Sequence, residues 1–320
     1  MRIGEMFIFG LEMDNYDFLL KTAKSYGLGG VIIFPRNLAS LEEFNAQIDT
    51  LEDQSGTPLI VAVDQEGGEV NRLEGEIPSF PSMSHFSRNQ DKHGLRQFAR
   101  TTAKHLKKLG INTNFAPVCD VLTNPANKLM ASRSFGSNPE LVADYACLLI
   151  EEFSSLGIVT SAKHFPGLGS ASLDPHICTA TSGISRNEFE RIHWLPFARA
   201  VEADVPMVMT THVVATELDS GSMATFSSAV VRDCLRTRLG FEGVVITDDL
   251  CMGAVAGDFN PGERALKALA AGHDMVMYCH NPEDQKNAFS EVINSLDTGR
   301  IDQTRTSESL KRIARLKGRL

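Results

Sequence analysis

The chain has 320 residues, 42% of them hydrophobic and 22% charged, an ordinary globular composition with enough apolar side chains to bury a large core. A formal net charge of −9 excludes a general nucleic-acid or anionic-membrane surface, because both need a basic face, and leaves room only for a local basic pocket. No stretch reaches the roughly 18 apolar residues needed to cross a bilayer, and the opening MRIGEMFIFGLEMDNYDFLL lacks the basic start and long apolar centre of a signal peptide, so a cytoplasmic protein with no membrane partner is expected.

In chain order, short apolar runs alternate with segments of helical period. GEMFIFGL (4–11) precedes the helical NYDFLLKTAKSY, and GGVIIF (29–34) precedes SLEEFNAQIDTLED. PLIVAVD (58–64) leads through a polar stretch to GLRQFARTTAKHLKKL, and INTNFAPVCD (111–120) to ELVADYACLLIEEFSSL. GIVTSAKH (157–164) is followed by RNEFERIHWLPFARAVE, with Ser185 and Glu188 spaced as a capping box at its start. VPMVMTTH (205–212) pairs with SAVVRDCLRTRL, and GVVITDD (243–249) with GERALKALAA. HDMVMYCH (273–280) is followed by EDQKNAFSEVINSL and a second tail helix, TRTSESLKRIARLKG. Each apolar run reads as a strand buried on both faces, as in a parallel sheet. Eight strand–helix units in series predict a single-domain α/β fold, a (β/α)8 TIM barrel, with a doubly wound sheet as the alternative. No low-complexity segment or linker divides residues 1–320, and the helical tail is expected from about 283.

A barrel gathers its chemistry at the C-terminal ends of its strands. Seven of the eight runs close on a polar or charged side chain: Arg36, Asp64, Asp120, Lys163 with His164, His212, Asp248 with Asp249, and His280. The loops after strands three and five, roughly 65–93 and 165–185, are longer than usual connections, which suits lids or substrate walls. The six cysteines (119, 147, 178, 234, 251, 279) are scattered without a CxxC pair, and buried free thiols are expected.

Two constellations carry chemistry. In VVITDDLCM (244–252), one aspartate can face the mouth while its neighbour points sideways or caps the next helix. A carboxylate facing a mouth rimmed by cations would be ionised and could serve as nucleophile, base or ligand. In DPH, Asp174 and His176 lie two apart, so in extended backbone the carboxylate can fix the imidazole tautomer and raise its basicity. That pair can act as a general acid and base near neutral pH; a solvated turn is the structural alternative. His164, His176, His212 and His280 show no HExxH or HxH spacing, and no metal is expected. GLGG at 27–30 precedes a strand instead of following one, so no nucleotide cofactor is expected either.

Taken together, VDQEGGEVNR (63–72), NFAPVCDV (114–121), RSFGSNPELV (133–142), AKHFPGLG (162–169), DPH (174–176) and VVITDDLCM (244–252) resemble the signature blocks of glycoside hydrolase family 3, in order from about residue 29 to 280. The KHFPGxG block followed by D-x-H resembles its single-domain bacterial β-N-acetylhexosaminidase branch. The resemblance implies a barrel that hydrolyses terminal non-reducing β-linked N-acetylglucosamine with retention. Asp248 matches the nucleophile, His176 the histidine acid/base and Asp174 its partner. Asp64, Arg72, Arg133, Lys163 and His164 match positions that hold the sugar, with Asp120 supporting the same pocket. The sequence departs from the family pattern at Leu168, Pro175, Cys251, Glu69 and Ser132, none of them a catalytic position.

The chemistry fits these residue types. Asp248 would meet the positive charge growing at the anomeric carbon and then bond to it, while His176 protonates the departing oxygen and deprotonates the incoming water. An acid on a loop implies that 165–185 closes over substrate. An imidazole also does not repel an anionic acceptor as a carboxylate would, so a phosphorylase is one alternative. A β-glucosidase or β-xylosidase of the same fold, and a non-catalytic sugar-binding barrel, are the others. The resemblance further implies removal of N-acetylglucosamine from anhydro-muropeptides during cytoplasmic peptidoglycan recycling, and a monomer is expected.

Overall fold

The computed structural model describes residues 1–172, 180–257 and 259–320. Eight parallel strands close into a barrel: β1 (Phe7–Gly10), β2 (Gly30–Ile32), β3 (Ile60–Val63), β4 (Thr113–Asn114), β5 (Val159–Phe165), β6 (Met207–Thr210), β7 (Val244–Asp249) and β8 (Met275–Tyr278). Their order around the barrel follows the chain, and β1 closes the ring by pairing with both β2 and β8. The strand residues are buried almost throughout, each apolar one contributing roughly 1.5–3 kcal/mol by leaving water. The barrel expected from the alternating runs is the fold observed.

The helices start where short polar side chains can take up their free amides. Ser40 caps Leu41–Ser55, Asn138 caps Pro139–Ser155 and Asn260 forms a reciprocal box with Glu263. Ser185 Oγ accepts the Glu188 N–H at 3.2 Å, as its spacing predicts. The tail forms two helices, Pro282–Asp297 and Gln303–Lys317. At the end of the second, the buried Lys317 donates to Leu28 O at 2.7 Å, and burial pulls its ammonium pKa down to about 8.

Two strands differ from their apolar runs. β4 spans two residues of the run 111–120, because Pro117 has no N–H for the ladder. Hydrogen bonds to β5 continue across it through carbonyls, with Ser161 N donating to Ala116 O and Lys163 N to Pro117 O, and beyond it Cys119 N donates to Lys163 O. β5 slips register against β6 between Lys163 and Phe165, so the strict face-to-face alternation of strand side chains is broken there. The loop after β3 holds a small hairpin, Gln65–Gly67 with Val70–Asn71, and the helix Met83–Arg88. Its turn requires glycine at 68, where φ is +60° and a Cβ would lie 2.7 Å from Ser82 Cα. Ala180–Ser182 pairs in parallel with Val213–Ala215 beside the long loop after β5.

Candidate active site

A cavity of about 260 Å³ opens at the C-terminal ends of the strands, lined by Asp64, Glu66, Arg72, Lys163, His164 and Asp248 among others. Asp64 follows β3 directly. Lys163 and His164 are consecutive in β5, joined by a cis peptide bond, and both reach the mouth. Lys163 Nζ donates to Asp64 Oδ1 at 2.6 Å and lies 2.7 Å from Glu66 Oε1. Arg133 clamps Glu66 with two bonds of 2.8 Å, the fork geometry that suits guanidinium and carboxylate. Its other contact is His164 Nε2 at 3.2 Å, while His164 Nδ1 lies 2.7 Å from Asp120 Oδ2. The second oxygen of Asp120 accepts the Leu168 N–H at 2.6 Å, which fixes the start of the loop after β5.

This row is mostly buried and sets acidic side chains against basic ones. Burial pushes the Glu66 carboxyl up, but Arg133 and Lys163 outweigh it and hold the group well below the carboxylate range. Burial works against the Lys163 ammonium too, yet Asp64 and Glu66 raise its pKa overall. Each charge is therefore fixed by its opposite, and the polar edge facing the cavity is rigid.

The two aspartates ending β7 separate into two roles. Asp249 Oδ1 accepts the N–H groups of Cys251 and Cys279 at 2.9 and 3.0 Å, tying the loop after β7 to the end of β8. Burial raises its pKa. Asp248 turns into the cavity and accepts the Asp249 N–H at 2.8 Å. Burial pushes its carboxyl up as well, but His212, His164, the Asp249 amide and Lys163 hold it below the usual aspartate value. Two adjacent carboxyls pushed in opposite directions assign different tasks: Asp248 is the ionised, accessible one.

Of the sequence-chosen residues, Asp64, Arg72, Arg133, Lys163, His164 and Asp248 line the cavity. Asp120 stands behind His164, fully buried, and acts through that ring. Asp174 and His176 lie outside the described residues. The strand-end pattern also named groups that lie off the cavity: Arg36 pairs with Glu12, and His280 packs on Phe34 with ring centroids 4.8 Å apart. Sequence reading missed Glu66, the hub of the row. Its signal was its place two residues after Asp64, on the same face of an extended segment. Two family departures meet: Ser132 Oγ donates to Glu69 Oε2 at 2.8 Å on the cavity rim. Among the described cysteines all are free, but Cys147 and Cys251 are half-buried, which corrects the expectation of uniformly buried thiols; both lie on segments that border solvent.

An ionised carboxylate beside a fixed row of hydrogen-bond donors and acceptors, in the mouth of a parallel barrel, is the equipment of a barrel enzyme that handles polyhydroxylated substrates. Residues 7–316 match the glycosyl hydrolase family 3 N terminal domain. The chain belongs to that family and is a glycoside hydrolase.

It is similar to the beta-hexosaminidase of Nitrosomonas eutropha (strain DSM 101675 / C91 / Nm57), 34% identical over 301 residues that cover 90% of this chain and 85% of that one. The beta-hexosaminidase of Tolumonas auensis (strain DSM 9187 / NBRC 110442 / TA 4) is 36% identical over 259 residues, 79% of this chain and 76% of that one. Among solved structures, a glycoside hydrolase family 3 beta-N-acetylglucosaminidase from Paenibacillus sp. str. FPU-7 superposes with a TM-score of 0.94 at 33% identity. That match covers 99% of this chain and 62% of the Paenibacillus chain, so the present chain spans less than two thirds of that relative's length. The beta-N-acetylhexosaminidase from Beutenbergia cavernae DSM 12333 gives a TM-score of 0.88 at 28% identity, covering 99% of this chain and 97% of that one.

Proposed function

We propose that this enzyme is a retaining exo-β-N-acetylhexosaminidase that cleaves terminal non-reducing β-linked N-acetylglucosamine. The observation that carries the reading is Asp248, ionised at the end of β7 and facing the same cavity as Asp64, Lys163, Arg133 and His164. The names of its relatives support the choice of sugar.

In this mechanism Asp248 attacks the anomeric carbon as positive charge develops there and forms a glycosyl ester. His176, oriented by Asp174, gives a proton to the leaving oxygen and then takes one from water. Asp64 accepts from sugar hydroxyls, and Lys163, Arg133 and His164 hold the ring in place; such orientation supplies several kcal/mol of barrier reduction.

Trapping with a 5-fluoro glycosyl donor tests the reading, with the label expected on the peptide containing Asp248. An adduct on any other side chain rejects it. A panel of nitrophenyl N-acetylglucosaminide, glucoside and xyloside separates the amino-sugar reading from the β-glucosidase and β-xylosidase ones. Replacing His176 with Ala is expected to impair sugar leaving groups far more than nitrophenolate; equal losses would remove His176 from the acid role. The finer proposal, release of N-acetylglucosamine from anhydro-muropeptides in the cytoplasm, predicts faster turnover of such a disaccharide than of chitobiose. Running the reaction in phosphate buffer and assaying glycosyl phosphate decides between water and phosphate as acceptor.

A further inference from the structure

The connections around the barrel mouth are uneven. From β3 to β6, the chain between each strand and its main helix runs 64–91, 115–138, 166–185 and 211–228. From β8 through β1 to β2 it runs 279–281, 11–15 and 33–40. Long connections on this face stand as walls. The side chains that line the cavity come from β5, β7 and the loops after β3, β4 and β5. Among the described residues none comes from the ends of β8, β1 or β2. That arc is the low side of the mouth, over which a substrate longer than one sugar can leave the cavity.

Three side chains are layered on the low side. The Arg36 guanidinium sits over the Phe34 ring, 4.5 Å from its centroid, and the His280 ring packs on Phe34 with centroids 4.8 Å apart. Phe34 follows β2 and His280 follows β8, so the contact crosses over β1. Gly10 at the end of β1 permits the crossing, because a Cβ there would collide with the Cys279 carbonyl. Arg36 is already paired with Glu12 and brings no unmatched charge to the layer. The backbone under His280 is fixed from the other side. Cys251 Sγ donates to His280 O at 3.3 Å, and Cys279 N donates to Asp249 Oδ1 at 3.0 Å, which ties it to the residue next to Asp248. The His280 side chain itself stays exposed. Met13, on the β1 connection, is 81% exposed, more than any other large hydrophobic side chain among the described residues. It borders the same hollow as Glu12 and Arg36.

A braced ring with open surface, beside an exposed thioether, suits the apolar face of a sugar. The C–H bonds of a pyranose present positive edges, and an aromatic face is negative. We infer that His280, held by Phe34 and Arg36, is the platform for the sugar on the leaving side of the scissile bond. It recognises a pyranose ring by packing and not by charge, since Arg36 is committed to Glu12. The inference rests on the reading of Asp248 as nucleophile, which sets where the scissile bond lies. It makes His280 a specificity-determining residue that favours carbohydrate leaving groups over small alkyl ones.

The test compares kcat/KM for N,N′-diacetylchitobiose with that for methyl β-N-acetylglucosaminide, whose leaving group has no ring. His280→Ala is expected to lower the ratio of disaccharide to methyl glycoside about two- to tenfold. His280→Phe, which keeps a ring without its nitrogens, is expected to restore the ratio. His280→Gln, which keeps hydrogen bonding without a ring, is expected to leave it low. A ratio unmoved by His280→Ala, or recovered by Gln and not by Phe, overturns the platform. Phe34→Leu, which withdraws the brace, gives the same comparison should His280→Ala fail to fold. Both substrates carry one glycone, so a different sugar preference slows both and leaves the comparison to be made with cellobiose and methyl β-glucoside. A trapped adduct away from Asp248 overturns the nucleophile reading instead, so the two failures are distinct.

Discussion

The mouth of the barrel has two unlike sides. Along β3 to β5, charged groups bond to one another in an unbroken series, from Asp64 through Lys163, Glu66 and Arg133 to His164 and Asp120. On the β7 side, Asp248 is held among the described residues by the next amide and by the charges around it. The first side has its geometry set before substrate arrives, so its role is to hold. The second keeps carboxylate lone pairs uncommitted, which is what bond formation requires. On the proposed mechanism, preorganisation and reactivity are divided between the β3–β5 side and β7, with β6 between them.

Replacing a member of each side should separate the two roles. Asp248→Ala is expected to have the largest effect, a loss in kcat on the order of 10⁴-fold or more with activated and sugar leaving groups alike. Substrate binding, measured by protein fluorescence or calorimetry, should survive. Loss of binding with intact residual turnover would reverse the assignment of the two sides.

Glu66→Gln breaks the holding side at its hub. It leaves Arg133 and Lys163 short of a buried counter-charge and is expected to cost roughly 3–5 kcal/mol in unfolding free energy at pH 7, read from urea denaturation. The pH dependence follows from the lowered pKa of Glu66. A depressed carboxyl contributes stability that is full above the unfolded value of about 4.3 and is lost as pH falls below it. Wild type should therefore lose stability on acidification more steeply than Glu66→Gln.

Arg133→Lys keeps the charge but not the fork. It is expected to raise KM by an amount equivalent to about 1–3 kcal/mol, with a smaller change in kcat. A kcat loss that exceeds the KM change would make Arg133 part of the reacting side. Glu69→Gln at the exposed rim is the mildest, at most about 1 kcal/mol. It should alter KM for charged aglycones in a salt-dependent way and leave neutral ones unaffected.

Much of this was legible in the sequence, for identifiable reasons. Strands buried on both faces write themselves as continuous apolar runs, so seven of the eight barrel strands fell inside the runs read from the chain, β4 shortened before Pro117, while β5 runs one residue past its run to Phe165. TDD announced two roles for adjacent carboxylates, and Asp249 with its two amide donors is the structural one. Pairing across the barrel was not legible. Nothing local says that Glu66 meets Arg133 sixty-seven positions on, or that Glu69 meets Ser132.

The anchoring of Lys317 has a practical side. Met1, Arg2, Thr57 and Lys317 border one hollow, located where the chain enters the first strands and so across the barrel from the substrate cleft. A tether joined to the exposed Lys311 beside that hollow would leave from the far face. The enzyme could then be immobilised with its cleft still open to bulk solution.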